Sequence, residues 1–278
     1  MIYISRSQNY ANFVAMKQSK PSLKTLLAIG GYKDSKSGNK YSVMMASPTH
    51  RATFVTSVVQ FLQQHGFDGC DFDYEFPTAA DKPHFSALLT ELKAALQPQG
   101  LMLTAAVTAN KNTIAAGYDV PAVAQQLDMM HVMAYDMHGP WEANADHHAA
   151  FQARASDAGS GLDLQSVMAE WTGRGAPAAK LAAGVPLYGK SWRVTGANKV
   201  PPAPGNGAGT AGTYTQEAGT LSFLEICQKI NAGGWTVVQV RRTLIDMKQL
   251  MFLYAGVSAL LILSDLITCL TLLSSRVI

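Results

Sequence analysis

The chain has 278 residues, 48% of them hydrophobic and 15% charged, with a formal net charge of +3. That is an ordinary globular composition, enough for one large domain or two modest ones. Beyond Arg241 and Arg242 there is no basic run, so nothing points to nucleic acid or acidic lipid, and Cys70, Cys227 and Cys269 stand far apart, in no metal spacing and in no disulfide framework.

The opening residues, MIYISRSQNYANFVAMKQSKP, show no basic segment followed by an apolar run and a small-residue cleavage site, so no secretory signal is expected in them. From residue 24 to about 190, strand and helix patterns alternate, as in a parallel sheet with crossover helices. KTLLAIGGY, Lys24 to Tyr32, reads as a strand closed by a tight turn at Gly30 and Gly31. THRATFVTSVVQFLQQHG then sets Phe54, Val55, Val58, Val59 and Leu62 on one helical stripe, with Gly66 where the helix terminates.

FDGCDFDYEFP follows, with four acidic residues within eight positions of an otherwise aromatic and small-apolar stretch. Strand side chains alternate faces, so Asp71, Asp73 and Glu75 share one face while Phe72, Tyr74 and Phe76 take the other and pack under helices. Same-face carboxylates lie roughly 7 Å apart, close enough in a poorly hydrated place to resist simultaneous ionisation. A calcium loop would need turn glycines and amide oxygens among the acids. The row reads as catalytic carboxylates; Asp68, on the opposite parity, reads as structural and Cys70 as a small buried apolar residue.

DKPHFSALLTELKAAL repeats the helical device with Phe85, Leu88, Leu89, Leu92 and Leu96, and LMLTAAVTA is the next strand. LDMMHVMAYDMHG, Leu127 to Gly139, is a fourth strand delivering Tyr135 and Asp136 at its far end. A helix with Leu164, Val167, Met168 and Trp171 on one stripe and a strand from Lys180 to Gly189 complete five strand units. Residues 191 to 219, rich in glycine, proline and alanine, read as loop. A helix from about Thr220 to Asn231 and a strand in GGWTVVQV come next. LMFLYAGVSALLILSDLITCLTLLSS, Leu250 to Ser275, is apolar apart from Asp265 and long enough to span a bilayer. It reads as a membrane helix, as a buried or aggregation-prone helix, or as an unrelated tail. Glu75, Tyr135, Asp136, Gly30, Gly31 and Tyr188 fall at the carboxyl ends of four strands, where a strand-and-helix barrel keeps its chemistry. A doubly wound open sheet is the alternative, but it would normally carry a glycine-rich phosphate turn, and none is present.

FDGCDFDYEFP resembles the acidic signature of the family 18 glycoside hydrolases, the chitinases and chitinase-like lectins, with D-x-x-D-x-D-x-E complete. LLAIGGY, MAYDMHG and GVPLYGKSW are similar to three further motifs of that family, in its order, and YTQEAGTLSFLEIC to the start of its inserted domain. The resemblance implies an α/β fold, a partial TIM (β/α)8 barrel carrying the beginning of a small α+β inserted domain: 1–190 the barrel portion, 191–240 the insertion, 241–278 an apolar tail. It implies a chitinase, cleaving β-1,4 N-acetylglucosamine polymers without cofactor or metal, in which the substrate's own N-acetyl group attacks the anomeric carbon. Glu75 would be the general acid and then the base for water, Asp73 would hold the acetamido nitrogen, and Asp71 would share a proton with Asp73. Tyr135 would bond the acetamido oxygen and Asp136 the reacting sugar.

Trp141 is placed to stack on a sugar ring or to pack on its own barrel, and Tyr188 and Trp192 carry the same pair of readings. Tyr32 completes the candidate sugar-binding aromatics. The partner implied is chitin or its oligosaccharides, the location extracellular, with membrane association through 250–275 as a side possibility. A carbohydrate-binding lectin without turnover is the alternative class; its members commonly lose the acid that Glu75 supplies. The resemblance spans about Lys24 to Gly234, leaving the family's first, second and eighth strands unmatched. The expectation is therefore bare edge strands, poor solubility and weak activity.

Overall fold

The structure is a computed structural model that describes residues 6–155, 159–195, 197, 199–239, 249–255 and 259–265. The chain divides into two compact units, Met1–Met133 with Met168–Ala182, and Ala134–Val167 with Ala183–Ile278.

In the first unit, helix α1 (Arg6–Ala15) precedes β1 (Leu26–Gly30), α2 (Tyr32–Ser35), α3 (Lys40–Ala46), α4 (Pro48–His65), β2 (Gly69–Asp73), α5 (Lys82–Leu96) and β3 (Met102–Val107). Then come α6 (Lys111–Gly117), α7 (Val120–Gln126) and β4 (Met129–Val132). Beyond β5 (Asn144–Ala145), which belongs to the second unit, α8 (Leu164–Gly173) leads to β6 (Leu181–Ala183). The sheet order is β1-β2-β3-β4-β6, with β1, β2, β3 and β4 paired parallel in succession. Each new strand adds at the same edge, so the direction of winding never reverses. That is barrel-type progression and excludes the doubly wound sheet, which needs a switch point.

Local chemistry explains the helices. The Ser47 hydroxyl caps α4 by accepting from His50 N, Pro48 follows it, and Gly66 closes the helix at φ 73°, the left-handed conformation glycine adopts without a Cβ penalty. On α5 the five expected residues, Phe85, Leu88, Leu89, Leu92 and Leu96, are all buried. The short helices α2, α3, α6 and α7 were not legible as periodic stretches; each is too brief to show a stripe.

The second unit holds a sheet in the order β10-β11-β12-β7-β8-β5, with β9 also on β7. Its further elements are β7 (Tyr188–Val194), β8 (Ala203–Ala208), β9 (Thr220–Ser222), α9 (Phe223–Asn231), β10 (Thr236–Gln239), β11 (Gln249–Ala255) and β12 (Ala259–Asp265). Three expectations are corrected here. The supposed loop 191–219 contains the rest of β7 and all of β8, joined by an antiparallel ladder in which Trp192 faces Ala208 and Val194 faces Gly205. The apolar stretch after Leu250 is not helical where it is described: β11 and β12 pair antiparallel, and β12 pairs β7. Among the described residues no helix is long and apolar enough to cross a membrane. Residues 241–248, 256–258 and 266–278 of the expected tail, Cys269 included, lie outside the described residues. Cys227 is disulfide-bonded, which overturns the expectation that no cysteine is.

Glu225 organises the start of α9. Its carboxylate accepts from Tyr214 N at 2.6 Å, Thr215 N at 3.1 Å, Ser222 N at 2.8 Å, and the hydroxyls of Thr215 and Ser222 at 2.9 Å each, completing a capping box with Ser222. Burial works to raise this carboxyl, but the Ser222, Tyr214 and Thr215 N–H groups outweigh it and bring it from 4.5 to about 2. A depressed carboxyl stabilises above its unfolded value and loses that contribution as pH falls through the folded one. The α9 segment should therefore loosen between about pH 4.5 and 2, read through emission from Trp235, which packs on the Leu221–Ile226 cluster. The Glu225→Gln variant should show the loosened signal already at neutral pH; an unchanged variant would count against this account.

Candidate active site

The sheet of the first unit carries the acidic row on β2 and just beyond it. Phe72 is fully buried and Tyr74 7% exposed, while Asp71, Asp73 and Glu75 are half-buried, the two-faced strand that parity requires. The aromatic face packs ring against ring: Phe72 lies 5.8 Å from Tyr41, 6.0 Å from Phe54 and 6.1 Å from Phe85. Phe85 continues to Tyr118 at 5.5 Å, and Tyr118 to Trp171 at 5.1 Å. Trp171 is anchored by its Nε1–H donating to Thr108 O at 3.0 Å.

The acidic face is held from the turn after β1. Asp73 O accepts from Gly31 N at 2.7 Å, and the Ser35 hydroxyl accepts from Glu75 N at 3.0 Å while lying 3.4 Å from Asp73 O. A Cβ on Gly30, at φ 119°, would fall 2.0 Å from Asp73 O, so only glycine permits this approach. Burial, and then the charge of Asp71, push the Asp73 carboxyl above the usual carboxylate range. Its Oδ1 is buried without a hydrogen-bond partner among the described residues. Burial also raises the Tyr118 hydroxyl, with the charges of Asp73 and Glu75 adding to the effect. A carboxyl that keeps its proton to higher pH, two residues from Glu75, suits general acid chemistry.

The second unit gathers a different set. Asp136 adopts φ 54°, uncommon for a non-glycine residue, and its Oδ1 lies 3.1 Å from Lys190 Nζ and 3.7 Å from His148 Nδ1. Burial works to raise Asp136, but His148, Lys190 and Tyr188 outweigh it and hold the carboxyl below its usual range. Burial pushes the His148 imidazole down against the pull of Asp136, and burial followed by Asp136 pushes the Tyr188 hydroxyl up. Tyr135 meets Tyr188 edge to face at 6.1 Å. Lys190 Nζ lies 5.7 Å from the Trp141 ring centre and 5.2 Å from that of Tyr188. The Trp141 indole lies on Gly139, where a Cβ would come within 2.1 Å, and Trp141 stays 64% exposed.

The family model described as "Glycosyl hydrolases family 18" matches residues 2–256. The chain belongs to the family 18 glycosyl hydrolases. The match runs past both ends of the stretch on which the resemblance rests. Chitotriosidase-1 of Mus musculus is 36% identical over 233 residues, 78% of this chain and 50% of that protein. The chain spans about half the length of several curated relatives it matches. Among solved structures, an immunomodulatory active chitinase from Trichuris suis superposes with a TM-score of 0.84 at 33% identity, covering 92% of this chain and 70% of that one. Human YKL-39, described as a pseudo-chitinase with retained chitooligosaccharide binding, does so with a TM-score of 0.84 at 28% identity, covering 99% and 76%.

For a family 18 chain the sequence-predicted residues fall as follows. Asp71, Asp73 and Glu75 stand together in the first unit; Tyr135, Asp136, Tyr188 and Trp141 stand together in the second. Tyr32, in the first unit, is 62% exposed. Trp192 is a correction: it is fully buried, its ring edge 3.2 Å from where a Cβ on Gly205 would sit, so it offers no face to a sugar. Sequence reasoning missed Ser35, Thr104, His131, His148 and Lys190. Parity was the available signal for two of them, since His131 shares a face with Tyr135, and Lys190 with Tyr188.

Proposed function

We propose that this family 18 protein is a glycoside hydrolase that cleaves β-1,4 N-acetylglucosamine polymers such as chitin by a retaining, substrate-assisted mechanism. The observation that carries the reading is the half-buried acidic row, in which Asp73 is held above the usual carboxylate range two residues from Glu75. Glu75 protonates the leaving oxygen and then deprotonates the incoming water. Asp73 holds the acetamido nitrogen, so that the acetamido oxygen attacks the anomeric carbon, and Asp71 shares the proton of the pair. By the MAYD motif, Tyr135 bonds the acetamido oxygen and Asp136 contacts the reacting sugar. Tyr32, Trp141 and Tyr188 offer flat apolar faces to sugar rings. The disulfide at Cys227 suits an oxidising, extracellular setting.

Binding without turnover is the second reading, favoured by the likeness to the pseudo-chitinase; the carboxyl present at Glu75 weighs against it. Substrate assistance is tested by replacing the 2-acetamido group of an oligomer with hydroxyl. Cleavage should be lost with that group, and N-acetylglucosamine oligomers should release product in the β configuration. Equal rates on glucose and N-acetylglucosamine oligomers would rule the mechanism out.

A further inference from the structure

Of the four tryptophans Trp141 alone is exposed, so burial does not hold its ring in place. The stretch that carries it, His138 to Glu142, precedes β5 and is fastened at points along the chain instead. Before it, Met137 N donates to His148 O at 2.9 Å; after it, Gly205 N donates to Ala143 O at 2.8 Å. Pro140 rests on Gly219, where an added Cβ would come 2.5 Å from the Pro140 ring, and Gly219 O accepts from Ser191 N of β7 at 2.9 Å. Glu142 N closes the turn by donating to Gly139 O at 3.0 Å. Across the same turn the side chains meet as well, His138 Nδ1 lying 2.8 Å from Glu142 Oε2 in a partly buried place. A carboxylate only accepts, so the imidazole presents its Nδ1–H. The bond spans the turn that bears the indole. Gly139 leaves the room, since the indole Cη2 and Cζ3 lie 2.1 Å from where a Cβ would sit on it.

We propose that His138 and Glu142 are positioning residues for ligand binding: their side-chain bond buckles the turn and fixes the Trp141 ring, before any sugar arrives, in the orientation that receives one. The use of Trp141 as a sugar platform rests on the glycosidase reading; the buckle itself does not. An indole fixed in advance loses little rotamer freedom when a sugar covers it, so the buckle acts on affinity. It takes no part in proton transfer, and its loss therefore belongs in KM rather than in kcat.

The test has two arms. The first needs no ligand: nitrogen relaxation of the Trp141 indole N–H is measured in the wild type, in Glu142→Ala and in Glu142→Gln, whose amide oxygen still accepts. The ring should be as ordered in Glu142→Gln as in the wild type and should lose that order in Glu142→Ala. Equal order in all three overturns the buckle. In the second arm, affinity for an N-acetylglucosamine oligomer is measured by calorimetry beside kcat and KM. Glu142→Ala and His138→Ala should each weaken binding about three- to tenfold, the cost of ordering one mobile side chain on binding. KM should rise in step, while His138→Asn, which keeps a donor near the place of Nδ1, should bind as the wild type does. Placed on top of Trp141→Ala, Glu142→Ala should cost nothing more, because the two act through one ring. A full further loss there, or a fall in kcat without a change in KM, would make the pair a general support of the loop and overturn the proposal. A chain that binds no oligomer, yet whose Trp141 loosens in Glu142→Ala, overturns the ligand-binding half and leaves the buckle standing. Binding that follows the expected pattern in a chain that cleaves nothing overturns the glycosidase reading alone.

Discussion

Replacing Glu75 by Gln should lower turnover of an N-acetylglucosamine oligomer by about two to four orders of magnitude, the range that a positioned general acid contributes. Affinity for the oligomer should stay within a few fold. Both halves follow from the same geometry. The main-chain N–H of Glu75 is what fixes this position, donating to the Ser35 hydroxyl at 3.0 Å, and glutamine keeps that bond along with the shape of the side chain. What it cannot keep is a proton to give to the leaving oxygen. Comparable turnover in the variant would refute the assignment, and a large loss of binding would show that the side chain builds the site rather than acts in it.

Gly30→Ala should be the most damaging small substitution in the first unit. The new methyl would lie 2.0 Å from Asp73 O and on a backbone at φ 119°, so overpacking and backbone strain add. Each costs roughly 1–3 kcal/mol, and together about 2–6 kcal/mol in urea unfolding. The methyl would also push apart β1 and β2 where Gly30 pairs with Asp73, displacing the carbonyl that Gly31 N and Ser35 Oγ hold. Gly38→Ala is the control. It also sits at positive φ, 79°, but nothing lies within 4 Å of the added atom, so only the backbone strain of about 1 kcal/mol remains. Equal losses in the two variants would mean that the contact with Asp73 O is not what constrains residue 30.

Features written in a local period were legible in the sequence. The α5 stripe and the two faces of β2 are both set by which side chains meet the core within a few residues of one another. What pairing at a distance decides was not legible. APGNGA, Ala203–Ala208, has the composition of a loop and becomes β8 through its ladder with β7, because backbone hydrogen bonds do not depend on the side chains that propensity counts. The uniformly apolar run after Gln249 has no period, so helix and strand were equally compatible with it. His131 sits within MMHV, where a lone histidine reads as core, and its partner Asp71 is sixty residues away. The disulfide of Cys227 escaped for the same reason, since spacing alone does not give connectivity.

The rings beneath β2 have a consequence for how this segment can vary. From Phe72 the contacts run through Phe85 and Tyr118 to Trp171, whose indole is tied to the Thr108 carbonyl, so the outer face of the strand is fixed by shape. The inner face is fixed by charge. Along residues 70 to 75 tolerance to substitution therefore alternates with a period of two: even positions accept changes that conserve volume, odd positions accept changes that conserve ionisation, and no single exchange satisfies both rules. A substitution scan across residues 70 to 75 should therefore show volume-conserving changes tolerated at the even positions and ionisation-conserving changes at the odd ones.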